Sequence, residues 1–259
     1  MPVLAETFSI GNSFFHRLDP RIRVFVATVL SITIALSKKF ETLFLALILA
    51  SVLLVFARLQ WSEVLKRLTV VVGFAILIWL MLPLTFEGEV LFVAGPLKIF
   101  QPGVRLSAQI SLKTLSILMV FITFMATMTV ATLGHALTFF RLPEKLILLL
   151  LITYRYLFVI GEEYSRLRTA MSIRGFKPGT NIHSFKTFAY LIGMLFVRAS
   201  VRAERVSQAM RLRGFKGRFY SLQAYSSYQK SPLFLIAMGI IFSVMLVIEW
   251  NLYEQFITN

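Results

Sequence analysis

Apolar runs long enough to cross a bilayer, or nearly so, recur along the whole chain from Val24 to Ile248, with cationic stretches between them. A helix needs about 20 such residues to span the hydrocarbon. Because the runs recur from end to end, no soluble body with a single anchor fits, and the expected fold is all-α: a polytopic integral membrane protein. Composition agrees, with 58% hydrophobic residues and a mean hydropathy of +0.78, well above a soluble domain. Met1 to Asp19 is polar and mixed, without the apolar core of a signal peptide. Cysteine is absent, which excludes disulfides and thiolate chemistry.

The distribution of charge sets the orientation. Of the net +15, a block of +10 lies between Gly161 and Lys230, where 13 Lys and Arg face 3 Glu. In so apolar a chain this block marks the cytoplasmic side. It offers a face to anionic lipid heads or acidic partners and argues against nucleic acid.

In chain order, Asp19-Pro20 starts the first helix by capping free amides and fixing the first φ. The run Val24 to Leu36 follows, with Arg21 and Arg23 holding its start inside. Thr42 to Ala57, Leu68 to Phe86 and the Ser/Thr-rich Leu106 to Ala131 complete four expected crossings within residues 1–131. The hydroxyls of Ser107, Ser111, Thr114, Ser116, Thr123, Thr127 and Thr129 suit close helix packing better than a substrate path. Lys113, inside that fourth run, is expected to snorkel outward. Between the third and fourth crossings, Glu87 to Gly103 reads as an external hairpin around Val90-Leu91-Phe92-Val93. Gly134-His135 marks a bend.

Residues 132–230 form the expected cytoplasmic helical domain. Two apolar runs inside it, Leu146 to Ile160 and Ile182 to Val197, are read as lying in or dipping into the cytoplasmic half. If both crossed, the arginines between them would lie outside. Arg155 supports this, since an arginine at mid-membrane is costly. Tyr154-Arg155-Tyr156 reads as a cation and aromatic cluster, structural or in contact with a partner. Residues 231–259 supply a last crossing, Leu233 to Ile248, and a tail with Glu249 and Glu254. About five crossings put the N-terminus inside and the C-terminus outside.

One short pattern appears twice in the cationic block. Ala170-Met171-Ser172-Ile173-Arg174-Gly175-Phe176-Lys177 recurs 39 residues on as Ala209-Met210-Arg211-Leu212-Arg213-Gly214-Phe215-Lys216, and Arg166 maps onto Arg205. Glycine past a helical run is the usual C-terminal stop, and cations in the last turn offset the helix dipole. Capping alone asks for a glycine and a cation. The recurrence of Met, an aliphatic residue and Phe in register points further, to a mixed apolar and cationic knob made for docking.

Reaction chemistry is missing. No phosphate-binding glycine loop is present, and His16, His135 and His183 stand apart without carboxylates at ligand spacing. Glu162 and Glu163 share a helix with Arg166, so an ion pair explains them without catalysis.

These stretches together resemble a known family, the transmembrane T components of energy-coupling factor transporters, and within it the cobalt transport protein CbiQ. The resemblance rests on His16-Arg17-Leu18-Asp19-Pro20-Arg21, Thr153-Tyr154-Arg155-Tyr156-Leu157-Phe158, Glu162-Glu163, Arg198 to Met210 and the paired Arg-Gly tips. It implies a coupling subunit of an importer, with no enzyme activity and no cofactor bound by this chain, ATP being used by partners. It implies two ABC-type ATPases, docked by Ile173, Arg174, Gly175 and by Leu212, Arg213, Gly214. Tyr154, Arg155, Tyr156, Glu162, Glu163, Arg166 and Arg205 would support the coupling region. Ile173 and Leu212 stand where the family commonly has alanine. A membrane-embedded substrate-binding subunit is implied as a further partner, and a transition metal ion (cobalt or nickel) or a vitamin as the cargo. The competing expectations are a stand-alone transporter or channel using the Ser/Thr-rich helix, and a membrane enzyme acting on anionic lipid.

Overall fold

A computed structural model describes residue 15 and residues 18–86, 88–94, 97–217 and 231–257. His16 and Arg17 of the N-terminal motif, the Gly95-Pro96 turn and Arg218 lie outside these. The architecture is helical: α1 (Pro20–Leu36), α2 (Phe40–Phe56), α3 (Trp61–Thr85), α4 (Gln101–Phe124), α5 (Val130–Phe139), α6 (Glu144–Ile173), α7 (Ile182–Leu212) and α8 (Ser231–Ile257). One antiparallel hairpin, β1 (Val90–Ala94) and β2 (Leu97–Phe100), joins α3 to α4 where the turn residues predict it. By length and composition α3, α4 and α7 can cross a membrane, and Phe40–Phe56, Val130–Phe139 and Phe234–Glu249 are shorter apolar helices. This is an all-α membrane protein.

Contacts divide the described residues into two compact units. One is drawn from residues 134–223, the other from 5–133 and 224–259. In the second unit α4 is the central helix, packed against α1, α2 and α3. Its hydroxyls explain how a polar helix tolerates this position. Ser107, Ser116, Thr123 and Thr127 are buried. Ser107 donates to the Gly103 carbonyl, Thr123 to Met119 and Thr127 to Thr123, each at 2.8–2.9 Å. Ser107, Thr123 and Thr127 therefore turn their polarity onto the preceding turn, whereas the Ser116 hydroxyl is buried without a hydrogen-bond partner among the described residues; all four are small enough to let neighbours approach.

Several expectations change at the ends of α4. The helix stops at Phe124 rather than Ala131. Thr129 begins a new helix instead, its Oγ1 accepting from the Thr132 amide at 3.1 Å. Arg23, expected at the inner edge beside Arg21, is 3% exposed. Its Nη1 donates to Thr127 Oγ1 at 3.1 Å and to the Thr127 carbonyl at 3.4 Å. At the start of α4, Gly103 lies against the end of α3, where an added Cβ would come within 2.5 Å of the Leu82 carbonyl oxygen. Lys113 donates to the Ala35 carbonyl at 2.8 Å, next to the last residue of α1, so it satisfies a helix end.

The expected start of the first helix is met in detail. Asp19 accepts from the Arg21 amide at 2.9 Å, with Pro20 in the first helical position. The stretch expected as a tail continues as helix to Ile257. Glu249 is held by the α1–α2 turn, accepting from Ser37 Oγ at 2.8 Å, the Lys38 amide at 3.0 Å and Thr42 Oγ1 at 3.1 Å. At the other end of the second unit Phe15, Phe124 and Phe234 meet as a ring trio, with centroids 5.3–6.2 Å apart. In the first unit Gly134 lies within α5 and makes no bend. An added Cβ there would stand 2.8 Å from Leu151 Cδ2, so the glycine serves a close approach to α6.

Candidate functional site

The repeated pattern forms the C-terminal ends of α6 and α7, and the two ends have the same backbone. Arg174 and Arg213 are the cap residues, with φ/ψ of −78°/11° and −86°/11°. Gly175 and Gly214 follow at φ +79° and +75°, a region that favours glycine. The Gly175 amide donates to the Ser172 carbonyl and the Phe176 amide to Met171, at 3.0 and 3.1 Å. The Gly214 amide donates to Arg211 and the Phe215 amide to Met210, both at 3.0 Å. This double bond pattern is the Schellman cap.

The cap accounts for more of the repeat than glycine and charge alone. A Schellman end is usually accompanied by an apolar contact between the residue two past the cap and the one three before it. Those positions are Phe176 with Met171, and Phe215 with Met210, all four half-buried. Met and Phe therefore recur at the two positions that such a stop commonly makes apolar. The cap does not account for Ile173 and Leu212, which are 82% and 89% exposed, nor for Arg174 and Arg213, exposed beside them. Each helix thus ends in an aliphatic and cationic pair held clear of the protein.

The two ends are anchored differently. Phe176 packs edge-on against Phe188 at 5.6 Å and lies 6.4 Å from His183, so the first turn folds back on α7. That return is fixed by Asn181, whose side chain accepts from the Ser184 amide at 2.8 Å. Ser184 Oγ in turn accepts from the Gly179 amide at 3.1 Å. Phe215 instead lines a groove between α6 and α7.

Of the supporting residues, Tyr154-Arg155-Tyr156 does not gather into one cluster, because consecutive helical positions point about 100° apart. Tyr154 packs edge-on against Phe158 at 5.2 Å, Tyr156 lines the groove, and Arg155 is exposed. Glu162 and Arg166 are 3.7 Å apart and largely exposed, the expected i,i+4 pair. Glu163 turns the other way and pairs with Arg198 on α7. Arg205 is exposed. The role of Arg198 was not assigned from sequence. Its signal is that α6 turns from apolar to charged at Gly161-Glu162 and α7 does so at Arg198. Among the described residues no group of three or more His, Asp or Glu comes together.

The sequence profile of the cobalt transport protein family, CbiQ, matches residues 11–225. The chain belongs to that family. It is a CbiQ-like transmembrane T component of the energy-coupling factor type, a multi-pass membrane protein. The energy-coupling factor transporter transmembrane protein of Macrococcus caseolyticus is 30% identical over 219 residues, covering 80% of this chain and 82% of the relative. Its counterpart in Leuconostoc gelidum is 27% identical over 262 residues, covering 94% and 97%. The Bacillus subtilis protein of the same name is 26% identical over 220 residues, covering 80% and 82%. These relatives are named as transporter components and not as enzymes.

Proposed function

We propose that this CbiQ-like chain is the coupling subunit of an importer, carrying motion from two cytoplasmic ABC-type ATPases to a membrane-embedded substrate-binding subunit. The observation that carries the reading is the pair of identically capped helix ends, each presenting an exposed aliphatic residue and an exposed arginine. Ile173, Arg174 and Gly175 would seat in one ATPase, and Leu212, Arg213 and Gly214 in the other. Arginine suits such a contact, since its guanidinium keeps its charge and meets carboxylates or carbonyls through several donors. ATP stays with the partners. Residues 132–230 act as the coupling domain, on the cytoplasmic side of the cell membrane. The N-terminus is inside and the C-terminus outside, as the charge distribution favours.

As the ATPase pair closes, the two ends move together, and rigid helices pass that movement on. Glu163–Arg198, joining α6 to α7, suits that transmission. The cargo is a transition metal ion, cobalt or nickel, or a vitamin, and its recognition belongs to the substrate-binding subunit. The test is the double variant Arg174→Glu with Arg213→Glu, expressed with the ATPases and purified by a tag on this chain. Loss of both ATPases from the complex is the expected result. Full retention of both overturns the reading.

A further inference from the structure

The chain leaves the second unit after residue 133 and returns to it at residue 224. Inside the second unit, the last helix wholly before the departure meets the first helix after the return. Phe124 ends α4, and Phe234 lies in the first turn of α8. Their rings are 6.2 Å apart, and both pack on Phe15, at 5.3 and 6.1 Å. All three are buried. Residues 125–129, which lead from α4 into α5, do not continue the helix, since the Met128 amide turns back to the Met125 carbonyl at 3.1 Å. Within that stretch Thr127 Oγ1 donates to the Thr123 carbonyl at 2.9 Å, lies 3.2 Å from the Phe124 carbonyl and accepts from Arg23 Nη1 at 3.1 Å. The two places where the chain leaves and rejoins the second unit are thus tied to α1 at one buried junction.

We infer that this junction is where movement of α6 and α7 enters the helices of the second unit, an inference that rests on the coupling function proposed for the chain. Arg23 and Phe234 are its positioning residues. Close-packed side chains resist compression and pass a displacement on, where an open turn would absorb it. A pull on either chain connection reaches the same three rings. From them it reaches α4, which packs against α1, α2 and α3. Arg23 adds a direct hold on α1, because its buried guanidinium bonds both the hydroxyl and the carbonyl of Thr127. A displacement of residues 125–129 therefore draws α1 with it, through a continuous run of packed and hydrogen-bonded groups. None of these residues belongs to the capped ends of α6 and α7, so the junction acts after docking and takes no part in it.

The experiment uses the full chain purified with its two ATPases, and follows hydrogen exchange with ADP or with a non-hydrolysable ATP analogue. In the wild type the change of nucleotide should alter exchange in the last turns of α6 and α7, and also in the last turn of α4 and the first of α8. Arg23→Gln and Phe234→Leu should keep the response of α6 and α7 and lose that of α4 and α8. Phe234→Leu keeps an apolar side chain, so it decides the matter if the Arg23→Gln chain does not fold. Gly73→Ala, at a position with nothing within 4 Å of the added Cβ, should respond as the wild type does. A junction that only holds the fold together would raise exchange equally with both nucleotides and leave their difference intact. That result overturns the proposal, as does a wild type in which α6 and α7 respond while α4 and α8 do not. A wild-type chain that holds no ATPases overturns the coupling function itself, and the proposal with it.

Discussion

Glu163 and Arg198 meet at the level where both long helices cease to be apolar, after Ile160 in α6 and after Val197 in α7. The glutamate side chain is 15% exposed and the arginine 50%, so water screens the pair only in part. Glu163→Gln and Arg198→Gln should each lower stability by about 0.5–1 kcal/mol. The double variant should lose little more than either single one, since all three lack the same interaction. Denaturant unfolding of the chain in micelles measures this, and additive losses would show that the two residues do not act as a pair.

Arg23 is the more consequential charge for the fold. It is buried in α1 and bonds the Thr127 hydroxyl and carbonyl just past the end of α4, 104 residues away in sequence. Arg23→Leu keeps an apolar stem but leaves a buried carbonyl short of a donor, a loss of about 1–3 kcal/mol. Arg23→Lys should recover only part of this, because a single ammonium does not reproduce the guanidinium fork. The readout is the unfolding midpoint in detergent. A midpoint for Arg23→Leu equal to wild type would show that the bond contributes nothing.

What could be read from sequence follows the range of each interaction. The Asp19-Pro20 start, the hairpin after Phe86, the Arg-Gly stops and the Glu162–Arg166 pair are all set by residues within a few positions. Arg23 with Thr127, Glu163 with Arg198 and Glu249 with the Ser37–Thr42 turn join distant segments, and nothing local announces them. Gly134 shows how a local signal misleads: glycine is read as a bend, while its missing Cβ serves a neighbour's side chain. At the end of α4, Thr129 carries a weak local signal, since threonine caps free helix amides. The apolar run through Ala131 masks it. At the paired helix ends, Met and Phe, expected as part of a docking knob, are half-buried at cap positions, while Ile173, Leu212 and the two arginines stay exposed.

Glycines of different surroundings separate packing from propensity. At Gly103 an added Cβ would lie 2.5 Å from the Leu82 oxygen and 2.7 Å from Pro83 Cα, both backbone atoms that cannot step aside. Gly103→Ala should force α3 and α4 apart at a cost of about 1–3 kcal/mol. Gly73, in the interior of α3, has nothing within 4 Å of its added Cβ. Gly73→Ala should therefore leave packing intact and gain up to about 1 kcal/mol from the stiffer helix. Thermal midpoints of the two variants, moving in opposite directions, check the pair.

The helix ends allow their two roles to be pulled apart. Gly175 and Gly214 hold the caps at positive φ, so Gly175→Ala or Gly214→Ala should strain the stop by about 1–2 kcal/mol. Hydrogen exchange in the last turn of α6 or α7 should rise accordingly. Ile173 and Leu212 are 82% and 89% exposed and hold nothing in place within the chain. Their replacement by alanine should change stability by no more than about 0.5 kcal/mol. If each buries its side chain in an ATPase, the same change removes about 1.5–3 kcal/mol of apolar contact, a loss of roughly tenfold or more in affinity. ATPase retention on the tagged complex, read beside exchange, distinguishes the cases. Weak retention with unchanged exchange in Ile173→Ala and Leu212→Ala places the aliphatic residue in the contact. Retention lost only in the glycine variants would mean that the partner reads the shape of the cap and leaves the exposed aliphatic residue untouched.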